Sequence, residues 1–158
     1  MQKEDGYHLS SVGSGKNPIP HFNTQRDCGY VVRAALQNPP GKNILGVGSM
    51  LSMTEYLKIW CEANKVPFGG FDSIPLEVFE ELVSVPGLGK ELGEMLAFID
   101  EFGYDGGDPI VVYPEDVCHP TCFAMGNSNH SSQLGVPCPL TTWESYVKEQ
   151  DWSSIIRD

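Results

Sequence analysis

Apolar residues recur at helical spacing in five stretches of the chain and form short uninterrupted runs in two or three others. The helical spacing predicts helices over residues 28–37, 52–64, 76–83, 88–102 and from residue 141 onward. The uninterrupted runs predict short strands over residues 44–48 and 66–71, with a third, shorter run at 110–113. This alternation predicts an α/β fold with about five helices, two or three short strands and an incomplete parallel sheet.

Polar residues at the ends of these stretches predict where the helices begin and end. Asp27 is the expected N-cap of the first helix, and Ser52 with Glu55 forms a capping-box pattern before the second. Pro75 is expected in the first turn of the third helix, whose inward residues are Leu76, Phe79, Leu82 and Val83. Gly103 ends the fourth helix.

Residues 1–18 are polar and rich in glycine and serine, which predicts a loop or a frayed, flexible end. No run approaches the roughly 18 apolar residues of a membrane span, and the first six residues lack the apolar region of a secretory signal. Five cysteines, an odd number, fit free thiols in a reducing compartment. The expected location is therefore cytoplasmic.

The charge is strongly acidic and local. The chain has 10 basic and 21 acidic residues, a formal charge of −11. Because nucleic acids and anionic membranes are bound through lysine and arginine, this balance argues against both partners. Residues 72–116 carry twelve acids and a single base, Lys90. Solvated helix faces are the favoured interpretation, and an acidic patch that docks a basic partner is the alternative.

Several catalytic and cofactor patterns fail on inspection. Gly46-Val47-Gly48 begins like a dinucleotide loop, but Leu51 replaces its third glycine, and Gly87-Leu88-Gly89-Lys90 lacks most of a P-loop. No tyrosine is followed four residues later by lysine, so the proton-relay pair of short-chain dehydrogenases is absent, and no nucleophile-elbow pattern occurs.

One cluster contains residues of the types that bind zinc: Cys118, His119, Cys122, His130 and Cys138. Their order matches neither paired CxxC knuckles nor the haem-attachment pattern. Unrelated loop residues are the favoured interpretation, so no metal-binding residue is predicted.

The chain resembles the C-terminal half of fungal NmrA-like proteins, the atypical short-chain dehydrogenase relatives with an NAD(P)-binding Rossmann domain. The resemblance covers residues 18–116 and 134–155. It is carried by residues 19–22, 26–36, 39–46, 49–52, 55–57, 101–109 and 138–144. The fold it implies is the C-terminal, mostly helical portion of a Rossmann-type protein.

The resemblance also implies that such a protein has two parts with different roles, and the matched region of this sequence corresponds to the second part. In the family, the N-terminal part binds NAD or NADP and the C-terminal part closes over a substrate or partner. The glycine-rich phosphate loop and the residue that reads a 2′-phosphate precede the matched region. The resemblance therefore assigns no catalytic or cofactor-binding residue here, and we expect the chain alone to bind no dinucleotide.

Residues 117–133 interrupt the resemblance with an irregular insert. In the family pattern, Glu115-Asp116 runs almost directly into Leu134-Gly135. A retained intron in a gene model is our hypothesis for this stretch, since valine codons begin with GT and the glutamine codon CAG ends in AG. The expected organisation is a flexible segment over 1–18, a substrate-side region over 19–116, the insert over 117–133 and a completing helix over 134–158.

Three functional hypotheses follow. The chain is the substrate-side half of an oxidoreductase, inactive by itself, with His21, Phe22, Asn23 and Tyr104 as substrate-pocket candidates. Alternatively, it is a non-enzymatic, redox-sensing module that contacts a regulatory protein. As a third hypothesis, it is a truncated product without independent function. An exposed sheet edge predicts self-association in each case.

Overall fold

The computed structural model describes residues 2–37, 40–41, 43–108, 111–112 and 140–156. Within these residues lie five helices: α1 (Thr24–Gln37), α2 (Met53–Asn64), α3 (Leu76–Leu82), α4 (Leu88–Phe102) and α5 (Trp143–Glu149). The same residues contain seven short strands: β1 (Gln2–Lys3), β2 (Gly6–Ser11), β3 (Ile19–His21), β4 (Asn43–Ile44), β5 (Ser49–Leu51), β6 (Phe68–Ser73) and β7 (Val111–Val112). The mixed α/β class and the five helices are confirmed, but the described part of the chain has more strands than expected.

The largest sheet has the strand order β1-β2-β6. Strand β1 is antiparallel to β2, whereas β2 and β6 are parallel, with Leu9 opposite Phe71. Helix α2 lies between the two parallel strands in sequence and packs against both. The remaining strands form two pairs, β3 with β5 and β4 with β7.

Strand β2 contradicts the prediction of a loop over residues 1–18. Gly6, Tyr7, His8 and Ser11 are buried, and the Tyr7 ring packs edge-on against Trp60 with centroids 5.1 Å apart. A Cβ on Gly6, whose φ is +136°, would lie 2.6 Å from the Pro67 carbonyl oxygen. The glycine is therefore required for the close approach of the backbone to the start of β6.

Helix α2 forms as its sequence predicts. The Ser52 hydroxyl accepts a hydrogen bond from the Glu55 amide at 3.2 Å, and the Ser52 amide donates to the Glu55 carboxylate at 2.9 Å. These bonds complete the predicted capping box. The predicted apolar stripe is also confirmed, because Leu57, Trp60 and Cys61 are buried.

Helix α1 begins earlier than predicted. It starts at Thr24, and the Asn23 side chain accepts a hydrogen bond from the Arg26 amide at 3.2 Å. Asn23 therefore caps this helix. The prediction of Asp27 as the N-cap is wrong, since Asp27 lies within the first turn.

Helices α3 and α4 pack closely against each other. A Cβ on Gly93 would lie 2.2 Å from Leu76 Cδ1, and a Cβ on Gly89 would lie 2.8 Å from the Glu80 backbone. Pro75 is the N-cap of α3 rather than a first-turn residue. The prediction that Leu82 points inward is wrong, because it is 57% exposed.

Two further boundaries agree with the sequence in part. Helix α4 ends at Phe102, and Gly103, with φ of +81°, donates its amide to the Ile99 carbonyl, as the glycine predicts. The strand predicted over 44–48 is formed only at Ile44, where β4 pairs in parallel with β7. The strand predicted over 66–71 is shifted, since β6 spans Phe68–Ser73.

The chain divides into two compact units. The first unit comprises Met1–Ile19, Leu51–Gly107 and Glu144–Asp158, and the second comprises Pro20–Met50 and Asp108–Trp143. The first unit buries Tyr7, Leu57, Trp60, Ile99 and Val147, and the second buries Ala34 and Val47. None of the described helices combines the length and apolar character that crossing a membrane requires. The predicted insert at 117–133 and the Cys/His cluster lie outside the described residues.

Candidate functional site

The carboxyl ends of the parallel strands β2 and β6 are where the first unit would hold a ligand. Ligands of open α/β sheets bind at this edge. The ends are joined by a hydrogen bond from the Ile74 amide to the Ser11 carbonyl at 3.0 Å. The loop after β2 contains Gly13 and Gly15, both with positive φ. Such a glycine-bearing turn can present backbone amides to an anion.

In this structure the loop donates to a carboxylate of the same chain. The Ser14 amide donates to Asp100 Oδ2 at 2.9 Å, and the Ser14 hydroxyl donates to Asp100 Oδ1 at 2.6 Å. The Asn17 side-chain amide donates to the Asp100 and Ile99 carbonyls. The end of α4 therefore holds this loop, and its carboxylate occupies the position in which a phosphate would accept those bonds.

The N-terminus of α2 contacts the same loop, and there too a carboxylate of the chain accepts the hydrogen bonds. Glu55 accepts from both the amide and the hydroxyl of Ser52, at 2.9 and 2.7 Å. These hydrogen bonds from Ser52 lower the pKa of the Glu55 carboxyl, so the group is charged at neutral pH. The Thr54 amide and hydroxyl donate to the Gly15 carbonyl at 3.2 and 2.9 Å. A phosphate at this helix end would meet Glu55.

A small cavity lies beneath this loop. Its lining includes Val12, Asn17, Met53, Leu96 and Ile99, and its volume is about 10 Å³. That volume holds about one water molecule. The cavity therefore matches a single water molecule in size.

The second unit contains three of the four predicted pocket residues. The His21 carbonyl accepts from the Gly48 amide at 2.9 Å, and its ring lies 6.5 Å from the Trp143 ring. Phe22 lies against the backbone of Gly46. Asn23 uses its side chain to cap α1. These three residues hold local structure, and their assignment to a substrate pocket stays a prediction.

Tyr104, the fourth predicted pocket residue, belongs to the first unit. It follows α4 in a turn and is 45% exposed. Gly106 and Gly107 both have positive φ, and the Gly107 amide donates to Asp105 Oδ1 at 3.0 Å. The predicted glycine-rich turn is thus present.

The dinucleotide-like run Gly46-Val47-Gly48 is covered by neighbouring residues of the second unit. A Cβ on Gly48 would lie 2.0 Å from the Thr141 carbonyl oxygen, and a Cβ on Gly46 would lie 3.3 Å from a Val31 methyl group. Residues 49–51 form β5 rather than the start of a helix. The glycines of this run therefore leave space for Thr141 and Val31 of the same chain.

The sequence analysis missed the role of one carboxylate, Asp27, and did not single out a second, Asp100. Asp27 is 1% exposed and accepts from the Thr141 amide at 2.9 Å and the Thr141 hydroxyl at 2.8 Å. Asp100 shares one face of α4 with Gly89, Gly93 and Leu96. The sequence could have indicated Asp100 by its position. It lies at the end of a helix face with two glycines, and such a face packs closely against neighbouring backbone.

Tyr56 and Cys61 are two titratable groups of the first unit whose pKa values are raised by burial. Burial, and then the neighbouring Tyr146, raises the pKa of Tyr56 to about 12, whereas a catalytic proton donor needs a pKa near neutrality. Burial also raises the pKa of the Cys61 thiol, which makes it a poor nucleophile. Within the described residues, no group of three histidine, cysteine or acidic side chains is arranged to hold a metal ion.

A charged cluster ties β1, β2 and β6 together. His8 Nε2 lies 2.9 Å from Asp5 Oδ1, and His8 Nδ1 lies 3.2 Å from Asp72 Oδ1. Lys3 Nζ donates to Asp72 Oδ2 at 2.7 Å. The hydrogen bond from Lys3 lowers the pKa of Asp72, and the hydrogen bond from His8 lowers that of Asp5.

This cluster predicts a loss of stability in acid. Because both carboxyl pKa values are lowered by folding, their contribution is present above the ordinary value of 3.8 and is lost as the pH falls through the folded values. We expect Asp72→Asn to make the free energy of unfolding less steeply dependent on pH below about 4. Urea unfolding between pH 5 and 2.5 measures this slope. Glu91→Gln, at an exposed carboxylate for which the described residues show no ion pair, is the control. Equal slopes in the unchanged chain and in both variants would contradict the prediction.

Comparison of the chain with family models, with curated proteins and with solved structures gave no match.

Proposed function

We propose that this chain is a recognition module, similar to the substrate-side region of NmrA-like proteins, which binds no dinucleotide by itself. The observation that supports the proposal is the pairing of Ser14 with Asp100, because it gives the loop after β2 a carboxylate partner. Glu55 likewise accepts the hydrogen bond at the start of α2, and the Thr141 carbonyl occupies the space beside Gly48. At these three places the chain's own atoms occupy the position that a phosphate would take.

The electrostatics of these places disfavour a dinucleotide. A pyrophosphate carries two negative charges and would have to displace Asp100 or approach Glu55. Like charges at hydrogen-bond distance repel each other. The residues present therefore do not fit the pyrophosphate of NAD or NADP.

Calorimetric titration of the chain with NADH and NADPH tests this proposal. We expect no saturable heat up to about 1 mM nucleotide, which corresponds to a binding free energy weaker than about −4 kcal/mol. Cooperative urea unfolding of the same sample serves as the control for folding. A dissociation constant in the micromolar range would overturn the proposal.

Contact with a regulatory protein is the second candidate function. It is favoured by an exposed apolar face on α4 that lies among acidic residues. A purified basic partner would be retained by the immobilised chain at low salt and released at high salt.

A further inference from the structure

Helix α4 carries two apolar faces, and among the residues that the structure describes only one of them is covered. Leu92, Leu96 and Ile99 lie on the inner face, with Ile99 only 3% exposed. Met95, Phe98 and Phe102 are 46%, 50% and 55% exposed. Their spacing of three and four residues places them in one stripe along the helix. We call these three residues the outer stripe.

The outer stripe is a continuous surface rather than three isolated residues. The rings of Phe98 and Phe102 are 4.9 Å apart, with an angle of 38° between their planes. Single exposed apolar residues are ordinary in proteins, but aromatic side chains in contact with each other on a helix surface are typical of binding sites.

Acidic residues flank the outer stripe. Glu91 and Glu94 precede Met95 and Phe98 by one helical turn, and Glu101 lies one turn beyond Phe98. Glu94 is paired with Lys90 at 3.8 Å. In the part of the chain that the structure describes, Glu91 and Glu101 have no ion pair. Residues 72–108 contain ten acids and one base, so the surrounding charge is also negative.

We propose that the outer stripe of α4 is a docking surface for a basic amphipathic helix of another protein. The proposal deepens the second candidate function and is independent of the dinucleotide proposal. The partner's apolar residues would cover Met95, Phe98 and Phe102, while its lysines or arginines would face Glu91 and Glu101. An amphipathic helix that lies against an apolar surface in this way is a common recognition mode.

The charge selects this occupant over a second copy of the chain. Two copies that met through the outer stripe would bring Glu91 and Glu101 of one against the same residues of the other. Like charges placed together at an interface oppose association, whereas opposite charges accelerate and orient it.

The partner helix need not be long. Met95 and Phe102 are seven residues apart, which corresponds to about 10 Å along the helix. Three turns of a partner helix, with apolar residues at intervals of three and four, cover that distance.

A synthetic peptide provides the test. The probe is an 18-residue peptide of leucine and lysine with its leucines on one helical face. The control has the same composition with its leucines distributed around the helix. Fluorescence anisotropy should show saturable binding of the probe at micromolar concentrations, at least about tenfold weaker binding of the control, and about tenfold weaker binding of the probe in 0.5 M salt than in 0.05 M salt.

Variants of the chain locate the binding to α4. Phe98→Ser combined with Phe102→Ser should weaken probe binding by at least about tenfold. Glu91→Gln combined with Glu101→Gln should weaken it severalfold and reduce its dependence on salt. Leu36→Ser is the matched control, because Leu36 is an 83% exposed apolar residue on α1, and it should bind the probe like the unchanged chain.

Several results would overturn the proposal. Equal binding of both peptides, or unchanged binding by both double variants, would show that α4 is not the docking surface. Sedimentation provides a second route: a dimer that the Phe98/Phe102 variant abolishes would identify a second copy as the occupant. If a purified basic partner is retained at low salt by the chain and by all variants alike, this inference fails but the second candidate function stands. If it is not retained at all, both fail.

Discussion

Gly48→Ala should destabilise the protein by about 3 kcal/mol, the upper part of the usual range for an added atom without space. The new Cβ would lie 2.0 Å from the Thr141 carbonyl oxygen, which is backbone and cannot rotate away. The segment before α5 would have to move, and the hydrogen bond from the Trp143 amide to the Ser49 hydroxyl at 2.9 Å would be disturbed with it.

A second glycine in the same unit makes a matched control. Gly29 lies in the interior of α1, is exposed, and has nothing within 4 Å of the position that a Cβ would take. Gly29→Ala should therefore stabilise the protein by about 0.5–1 kcal/mol. In urea unfolding, the same substitution should thus lower the free energy of unfolding at position 48 and raise it at position 29. An unchanged free energy of unfolding in Gly48→Ala would show that the close approach of Thr141 to Gly48 is wrong.

Asp27→Ala should also cost about 3 kcal/mol. It removes the acceptor of two hydrogen bonds, from the amide and the hydroxyl of Thr141, in a site where Asp27 is 1% exposed. A buried donor left without an acceptor costs about 1–3 kcal/mol. The carboxylate also lies in the first turn of α1, where a negative charge interacts favourably with the helix dipole.

Two further variants separate these contributions. Asp27→Asn keeps one acceptor oxygen for Thr141 and loses the charge, so its cost should be smaller, about 1 kcal/mol. Glu62→Ala, at an exposed carboxylate on α2, should change the free energy of unfolding by less than about 0.5 kcal/mol. If Asp27→Ala were as mild as Glu62→Ala, Asp27 would not be the anchor of residues 140–143.

The elements that the sequence predicted well are those with local signals. The start of α2 depends on Ser52 and Glu55, which are three residues apart, and its buried stripe repeats within two turns. Gly103 marks the end of α4 because only a residue that tolerates positive φ fits there. Such signals are complete within a few residues and are therefore visible without the rest of the fold.

The elements that were missed depend on partners far away in the chain. Strand β2 is polar at His8 and Ser10, and its pairing with β6 joins residues more than 60 positions apart. Leu82 was misplaced because a helix as short as α3 has apolar residues on more than one side. In each case tertiary packing, rather than local spacing, decides the outcome.

The assignment of His21, Phe22 and Asn23 to a substrate pocket stays a prediction. In the structure these residues contact β5, the backbone at Gly46 and the start of α1, and the first two of these contacts could not be predicted from local spacing. Asp27 looked like a helix cap, but it binds Thr141, 114 residues later. The contact between Ser14 and Asp100 spans 86 residues and carries no local pattern. The proposal that these glycines bind no phosphate rests on such long-range contacts, which no local motif shows.

The amide resonance of Ser14 provides the most direct measurement of whether the chain's own carboxylate takes the place of a phosphate. Pyrophosphate and NADPH are added to the isotope-labelled chain, and the ¹H–¹⁵N signal of Ser14 is followed up to about 1 mM ligand. We predict that this signal does not move, because its amide already donates to Asp100 at 2.9 Å. A saturable shift with a micromolar midpoint would contradict the account, since it would place an anion where Asp100 is bound.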